Sequence, residues 1–247
     1  MAFENKEGQR VPNCSFPVRV GDSWATLTTD EIFNGKTVVV FSLPGAFTPT
    51  CSSTHLPRYN ELAAKFKEYG VDEIVCVSVN DTFVMNEWKK QQEAENVSVI
   101  PDGNCEFTRG MGMLVAKTAL GFGDRSWRYS MLVKDGVVAK MFIEPEKDGD
   151  PFEVSDADTM IRYINPDFTE QASISIFTKP GCQYCAKAKE LLNEQGLAYE
   201  EIVLGTDAST VSVRAITGKT SAPQVFIGGQ YIGGSEELEA YFATAEA

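Results

Sequence analysis

The chain has 247 residues, 43% hydrophobic and 23% charged, a composition that fits folded protein and a length that allows two domains. A formal net charge of −13 repels phosphate backbones and anionic lipid, which argues against nucleic acid and membrane as partners. The opening MAFENKEGQR lacks the apolar core of a secretory leader, no run approaches the ~18 apolar residues of a spanning helix, and six cysteines are too sparse for a disulfide-stapled secreted domain, so a cytoplasmic address is expected.

In chain order, residues 37–43 form a continuous β-branched apolar run, the mark of a strand buried on both faces. After Pro49, Leu56, Leu62, Ala63 and Phe66 recur near a 3.6-residue period and predict one helix up to Tyr69-Gly70. Residues 74–79 read as a second buried strand, and 83–95 as an amphipathic helix carrying Met85 and Trp88. Residues 97–100 read as a short strand closed by Pro101-Asp102-Gly103. Residues 127–133 and 137–143 are strand-like and joined through Asp135-Gly136, a hairpin signal. Ser155 or Asp156 is expected to cap a helix through Met160 and Ile161.

Proline and polar residues interrupt the pattern after Asn165, which places a domain at 1–165, a short linker at 166–172 and a second domain at 173–247. The second domain restarts with a strand at 173–177, a helix after Cys182, a strand at 198–204 and a helix at 211–216. A hairpin across Gly228-Gly229 and a helix opened by Ser235 as N-cap follow. Each domain is therefore α/β, a mixed sheet flanked by helices.

Cys51 follows the first buried strand and lies early in a helix, where unpaired N–H groups and the helix dipole favour a thiolate. Lowering a thiol pKa from 8.5 to ~6 raises the thiolate fraction at pH 7 about thirty-fold, which is only about 2 kcal/mol. A fast thiolate reaction needs further groups that stabilise charge as bonds break. Thr48, one turn upstream, offers a hydroxyl, Pro44 fixes and shields the loop, and Arg128 is expected on a strand that could direct its charge into the pocket. A lone cysteine is more often a small buried hydrophobe, Thr48 could be a cap, and Arg128 could be a surface arginine; the flanking pattern outweighs the first of these. His55, the only histidine, reads as a structural hydrogen-bonding residue, and a zinc site lacks ligands.

The pattern P-x-x-x-T-x-x-C at Pro44, Thr48 and Cys51 resembles the peroxiredoxin signature, and PGAFTPTCSSTHLPRY with WRYSMLV resembles the type V subfamily over about residues 10–163. The resemblance implies a thioredoxin-like fold, Cys51 as peroxidatic cysteine, hydrogen peroxide or alkyl hydroperoxides as substrates, and Pro44, Thr48 and Arg128 as its activating groups. It also implies a homo-oligomer, a dimer or tetramer built through this domain.

Cys182-Gln183-Tyr184-Cys185 is a C-x-x-C at a helix start, with Cys182 the more exposed thiol, Cys185 one turn in, and Lys179 adding positive charge. No second pair accompanies it to make a zinc ribbon. With Ser221-Ala222-Pro223 and Gly233-Gly234-Ser235-Glu236, the region 173–244 resembles a glutaredoxin, a second thioredoxin-like domain. That resemblance implies a cis peptide before Pro223 and glutathione as reducing co-substrate, with no tightly bound cofactor. Its contacts would be Lys179, Gln183, Tyr184, the Ala222 backbone, Pro223, Gly234, Ser235 and Glu236, and its γ-glutamyl carboxylate would rest on the N-terminal amides of the Ser235 helix.

The two resemblances together imply a glutathione-dependent peroxidase. Cys76 reads as packing, Cys14 and Cys105 stay open as partners for oxidised Cys51, and residues 144–165 hold no cysteine. A one-cysteine cycle is favoured: glutathione reduces the Cys51 sulfenic acid and Cys182 removes the glutathionyl group. A substrate-docking dithiol oxidoreductase, a peroxide sensor and an iron–sulfur module are the competing readings.

Overall fold

The computed structural model describes residues 3–170 and 172–245. Met1, Ala2, Gln171 of the expected linker, and Glu246 and Ala247 lie outside them. The chain divides into two compact units between Phe168 and Thr169.

In the first unit, β1 (Ser15–Val20) and β2 (Ser23–Thr28) pair as an antiparallel hairpin, followed by α1 (Thr29–Phe33). This hairpin was not expected, although two alternating runs around Gly21-Asp22 carry its signal. The main sheet is formed by β3 (Thr37–Leu43), β4 (Glu73–Ser78) and β5 (Ser98–Pro101), with β8 (Tyr129–Lys134) and β9 (Val137–Ile143), in the order β5-β4-β3-β8-β9. The three strands β5, β4 and β3 run parallel, and β8 and β9 add antiparallel on the other side. A second small pair joins β6 (Leu114–Ala116) to β7 (Asp124–Ser126).

Strand alternation splits the core into two layers. Val39, Phe41 and Leu43 face a cluster with Cys51, Tyr59, Phe66 and Trp88, whereas Val38 and Val40 face another with Phe16, Phe33, Phe107 and Met131. The first layer is covered by α2 (Leu56–Glu61), α3 (Ala63–Glu68), α4 (Thr82–Gln91) and α6 (Ala157–Ile164); α5 (Glu106–Gly110) contributes Phe107 to the second. Asp81 caps α4 through the amides of Phe83 and Val84, and Asp156, of the two expected caps, accepts from Thr159 N at 2.9 Å. Phe168, inside the expected linker, is buried in the first layer against Tyr69. An aromatic side chain carried the chain three residues further into the first core than the polar composition around it suggested.

The single helix expected after Pro49 is interrupted. Cys51–His55 form a π-helical turn, with the Leu56 amide donating to the Cys51 carbonyl, and the helical path breaks again at Leu62. Pro57 is the physical reason for the first break. It has no N–H for the preceding turn, and its ring would strike the carbonyl four residues back, so the chain widens by one residue there.

In the second unit, β10 (Ile174–Thr178), β11 (Glu200–Val203), β12 (Gln224–Ile227) and β13 (Gln230–Gly233) form the sheet β11-β10-β12-β13, parallel only between β10 and β11. The helices are α7 (Gln183–Glu194), α8 (Thr210–Thr217) and α9 (Ser235–Ala245). Ile174, Ile176 and Val225 pack with Ala188, Leu192 and Leu238 from α7 and α9. Both units are thus mixed, helix-covered sheets of the thioredoxin-like type. Among the described residues, no helix is long and apolar enough to cross a membrane.

Candidate active site

Cys51 sits at the start of the π-helical turn, 0% exposed, with its sulfur in the layer formed by Phe41, Leu56 and Tyr59. The loop before it is fixed from below. Asn80 Oδ1 accepts from the Ala46 amide at 3.0 Å and from Ser78 Oγ at 2.8 Å, while Thr48 Oγ1 donates to the Gly45 carbonyl at 2.8 Å. That bond uses the Thr48 proton and leaves the hydroxyl oxygen as an acceptor. Phe47 sits between them at φ 64°, half exposed, an aromatic side chain in the left-handed region that such residues rarely occupy.

Arg128 is brought to this sulfur, but not from within a strand. It lies in the two-residue break between β7 and β8, where the chain crosses from the small pair to the main sheet. Its carbonyl accepts from the Glu144 amide at 3.1 Å, and Nη2 reaches Cys51 Sγ at 3.6 Å. Arginine stays protonated and offers five N–H donors. Nη1 donates to His55 Nδ1 at 3.0 Å, Nη2 meets Asp150 Oδ2 at 2.5 Å, and the guanidinium stands 5.4 Å from the Phe152 ring centroid. Nε is buried and has no protein partner. Burial opposes the charge, but the Asp150 carboxylate and the Cys51 sulfur outweigh it and hold the Arg128 pKa above its ordinary value.

His55 has a defined state. An arginine N–H can only donate, so Nδ1 accepts, and Nε2–H donates to the Ser155 carbonyl at 3.2 Å. Burial and the neighbouring guanidinium push its pKa well below the usual histidine range, so it is neutral. The residue read from sequence as structural is therefore the brace of Arg128. Phe41 and Phe152 hold its ring on two sides, with centroids at 4.8 and 4.9 Å.

Sequence reasoning missed the segment that closes over Arg128. Glu144, buried at the end of β9, accepts from the amides of Glu153, Val154 and Ser155 and from Ser155 Oγ. These bonds turn the loop back so that Asp150 and Phe152 lie on the guanidinium. A buried carboxylate ahead of a Gly- and Pro-containing stretch is the one local signal for this turn.

The other thiols lie apart. Cys76 pairs in register with Phe41 and shares the Cys51 layer, and burial followed by the Cys51 charge pushes its pKa well up. Cys14 is in the layer on the opposite face of the sheet, and burial and Asp102 raise its pKa. Cys105 begins α5 in the left-handed region at φ 60°, its pKa likewise raised by burial and Asp102.

In the second unit Cys182 caps α7, half-buried, and its sulfur accepts from the Cys185 amide at 3.2 Å. Cys185 is 3% exposed, and burial together with the Cys182 contact pushes its pKa up to about 11. The two thiols are thus unequal, one at the surface beside amides and one held protonated. The peptide before Pro223 is cis, and Cys182 Sγ lies 3.5 Å from the Ala222 carbonyl. A cleft of about 430 Å³ runs along Lys179, Cys182, Gln183, Cys185 and Lys189. Lys179 Nζ donates to the Thr220 carbonyl at 3.1 Å, and Tyr184 is exposed.

The start of α9 differs from expectation. Ser235 is the first helical residue and is buried, and the amide before it, Gly234 N–H, donates to Glu237 Oε2 at 2.8 Å. The chain's own carboxylate thus occupies one of the amides assigned to a ligand carboxylate. Gly233 at φ 131° makes this possible, since a Cβ there would lie 2.8 Å from the Glu237 side chain.

Among the described residues, no group of three or more His, Cys, Asp or Glu stands ready to hold a metal ion. A buried cysteine against an arginine in one thioredoxin-like unit, and an unequal C-x-x-C beside a cis-proline in another, define a two-domain thiol redox protein. The Redoxin family matches residues 6–161 and the Glutaredoxin family residues 174–232. The chain is 68% identical over 241 residues to the hybrid peroxiredoxin hyPrx5 of Haemophilus influenzae, covering 98% of this chain and 100% of that one. It is 59% identical over 169 residues to the peroxiredoxin sll1621 of Synechocystis, covering 63% of this chain and 89% of that protein. The structure of reduced Prx3 from Vibrio vulnificus in complex with hydrogen peroxide matches with a TM-score of 0.61 and 40% identity, over 65% of this chain and 99% of that one. The chain belongs to the redoxin family and, within it, to the hybrid peroxiredoxins, a peroxiredoxin peroxidase domain followed by a glutaredoxin domain.

Proposed function

We propose that the protein is a glutathione-dependent peroxidase in which Cys51 reduces hydrogen peroxide or an alkyl hydroperoxide and the Cys182 dithiol restores it. The observation that carries the reading is the Arg128 guanidinium, 3.6 Å from the Cys51 sulfur and braced by a neutral His55. The Cys51 thiolate attacks one peroxide oxygen, the O–O bond breaks, and the other oxygen leaves as water or alcohol once protonated. Sulfur is oxidised to sulfenic acid. Arg128 steadies the thiolate and offers its orphan Nε–H to the peroxide, Thr48 Oγ1 accepts a hydrogen bond from the peroxide O–H, and Pro44 keeps water from the pocket. Arg128→Met should therefore lower the second-order rate with peroxide about 10²–10³-fold, read by stopped-flow, with Arg128→Lys recovering only part because the fork is lost.

Glutathione then condenses with the sulfenic acid, releasing water and leaving a Cys51–glutathione disulfide. Because Cys51 is fully covered, this step requires the turn at Cys51–His55 to unwind. Cys182 attacks the glutathione sulfur, frees Cys51, and a second glutathione releases oxidised glutathione from Cys182. Fusion keeps the second domain at an effective concentration on the order of mM. The cleft at Lys179 and Gln183 suits the glycyl carboxylate of glutathione, with Tyr184, Ala222 and Pro223 along the peptide. The γ-glutamyl end would meet Ser235 and Glu236, and would compete with Glu237 for Gly234 N–H.

Val20, Trp24, Phe83 and Leu120 are at least 60% exposed, and Trp24 and Phe83 meet edge to face at 5.8 Å. The exposed Trp24–Phe83 pair supports a dimer or tetramer through the peroxiredoxin domain. The full reading is tested by following NADPH in the presence of peroxide, glutathione and glutathione reductase. Wild type and Cys185→Ser should both turn over, the variant keeping most of the rate, because Cys185 is held as a thiol. No NADPH consumption by wild type would contradict glutathione dependence, and complete loss in Cys185→Ser would replace the one-thiol route by a Cys182–Cys185 disulfide.

A further inference from the structure

Arg128 is 1% exposed and cannot lose its proton, so a neighbour has to balance its charge throughout the cycle. Cys51 does so only as an anion. As thiol, sulfenic acid or mixed disulfide its sulfur is neutral. The other groups around the guanidinium are a neutral His55, the Phe152 ring, and Cys76 from β4, a buried thiol. The remaining anion is Asp150, 2.5 Å from Nη2, the same nitrogen that reaches the Cys51 sulfur. Its neighbours on the loop, Lys147 and Glu153, pair with each other. The loop is tied down by Glu144, so Asp150 is delivered to Arg128 from a fixed turn.

We propose that Asp150 is a positioning residue that competes with oxidised Cys51 for Nη2 of Arg128 and so restrains over-oxidation of the sulfenic acid to sulfinic acid. Over-oxidation proceeds from the deprotonated sulfenate. Its sulfur attacks hydrogen peroxide, an S–O bond forms and the O–O bond breaks. Sulfur gives up two electrons, and the departing hydroxide takes the proton of the new S–OH, leaving sulfinate and water. Both sulfenate and sulfinate are anions that a free guanidinium N–H would stabilise. A guanidinium already bound to a carboxylate stabilises them less. The proposal rests on Cys51 being the peroxidatic cysteine and is independent of how its sulfenic acid is reduced.

The test uses the full chain with dithiothreitol as reductant and counted additions of hydrogen peroxide, read by peptide mass spectrometry. Asp150→Asn should raise the fraction of Cys51 carrying two added oxygens per turnover about three- to tenfold, the lower range for a charge removed from a partly exposed site. The pH profile of Cys51 alkylation should move to lower pH in the same variant, and Asp150→Glu should restore both. Equal over-oxidation and an unchanged profile in Asp150→Asn would overturn the proposal. So would a slower peroxide reaction with unchanged over-oxidation, since that would make Asp150 a structural tether. If Cys51 gains no oxygen even in wild type, the peroxidatic assignment fails instead.

Discussion

Replacing Cys51 by serine is expected to end peroxide consumption while the fold persists. The exchange is nearly isosteric, and the smaller hydroxyl still meets Arg128, so the packed layer with Phe41 and Tyr59 loses little. The chemistry is lost for a different reason. A serine hydroxyl is not ionised at neutral pH and its oxygen cannot carry the oxidised states that sulfur reaches on the way back. Neither the His55 brace nor the Arg128 charge can compensate. Buried, raised-pKa Cys76, Cys14 and Cys105 offer no alternative thiolate. The check is peroxide loss measured directly, with circular dichroism to confirm folding, and a Cys51→Ser protein that still turns over would remove the basis of the mechanism.

Cys182→Ser is expected to separate the two halves of the cycle. The first reaction with peroxide should be stoichiometric and as fast as in wild type, because nothing in that step calls on the second domain. Glutathione-driven turnover should then fall by about one to two orders of magnitude, since the remaining nucleophile is free glutathione, a thiol ionised at the level of a few per cent near neutral pH. Cys185 is a poor substitute: it is 3% exposed, and burial, the largest cause of its raised pKa, persists without Cys182. Comparing single-turnover and steady-state rates in the same preparation separates this outcome from a general loss of folding.

Features carried by a few consecutive residues were legible in the sequence. The β3 run, the C-x-x-C with Cys182 outermost, and the cis-proline after Ala222 all stand in the structure as the local pattern implied. What escaped depends on residues far apart in the chain. Asp150 and Phe152 reach Arg128 only because a buried Glu144 folds the intervening loop back, and no spacing records that. Arg128 itself was chosen correctly as a neighbour of Cys51 but misplaced on a strand, because the break between β7 and β8 arises from the switch between two sheets. The π turn at Cys51 was visible in principle, as Pro57 forbids a regular helix there. At α9 the Gly234 amide is already held by Glu237 of the same chain, a local bond that the helix-start pattern did not single out.

The division of labour between Cys51 and Cys182 is tested most directly by the chemical state in which Cys182→Ser stalls. The variant is given one equivalent of peroxide and then a small excess of glutathione, quenched by acid, and mapped by peptide mass spectrometry. The account predicts one glutathionyl group on Cys51, cleared on adding the wild-type second domain's chemistry in the form of a Cys51→Ser full-length chain. Stalling as an internal disulfide between Cys51 and another cysteine of the chain, or no stall at all, would contradict it.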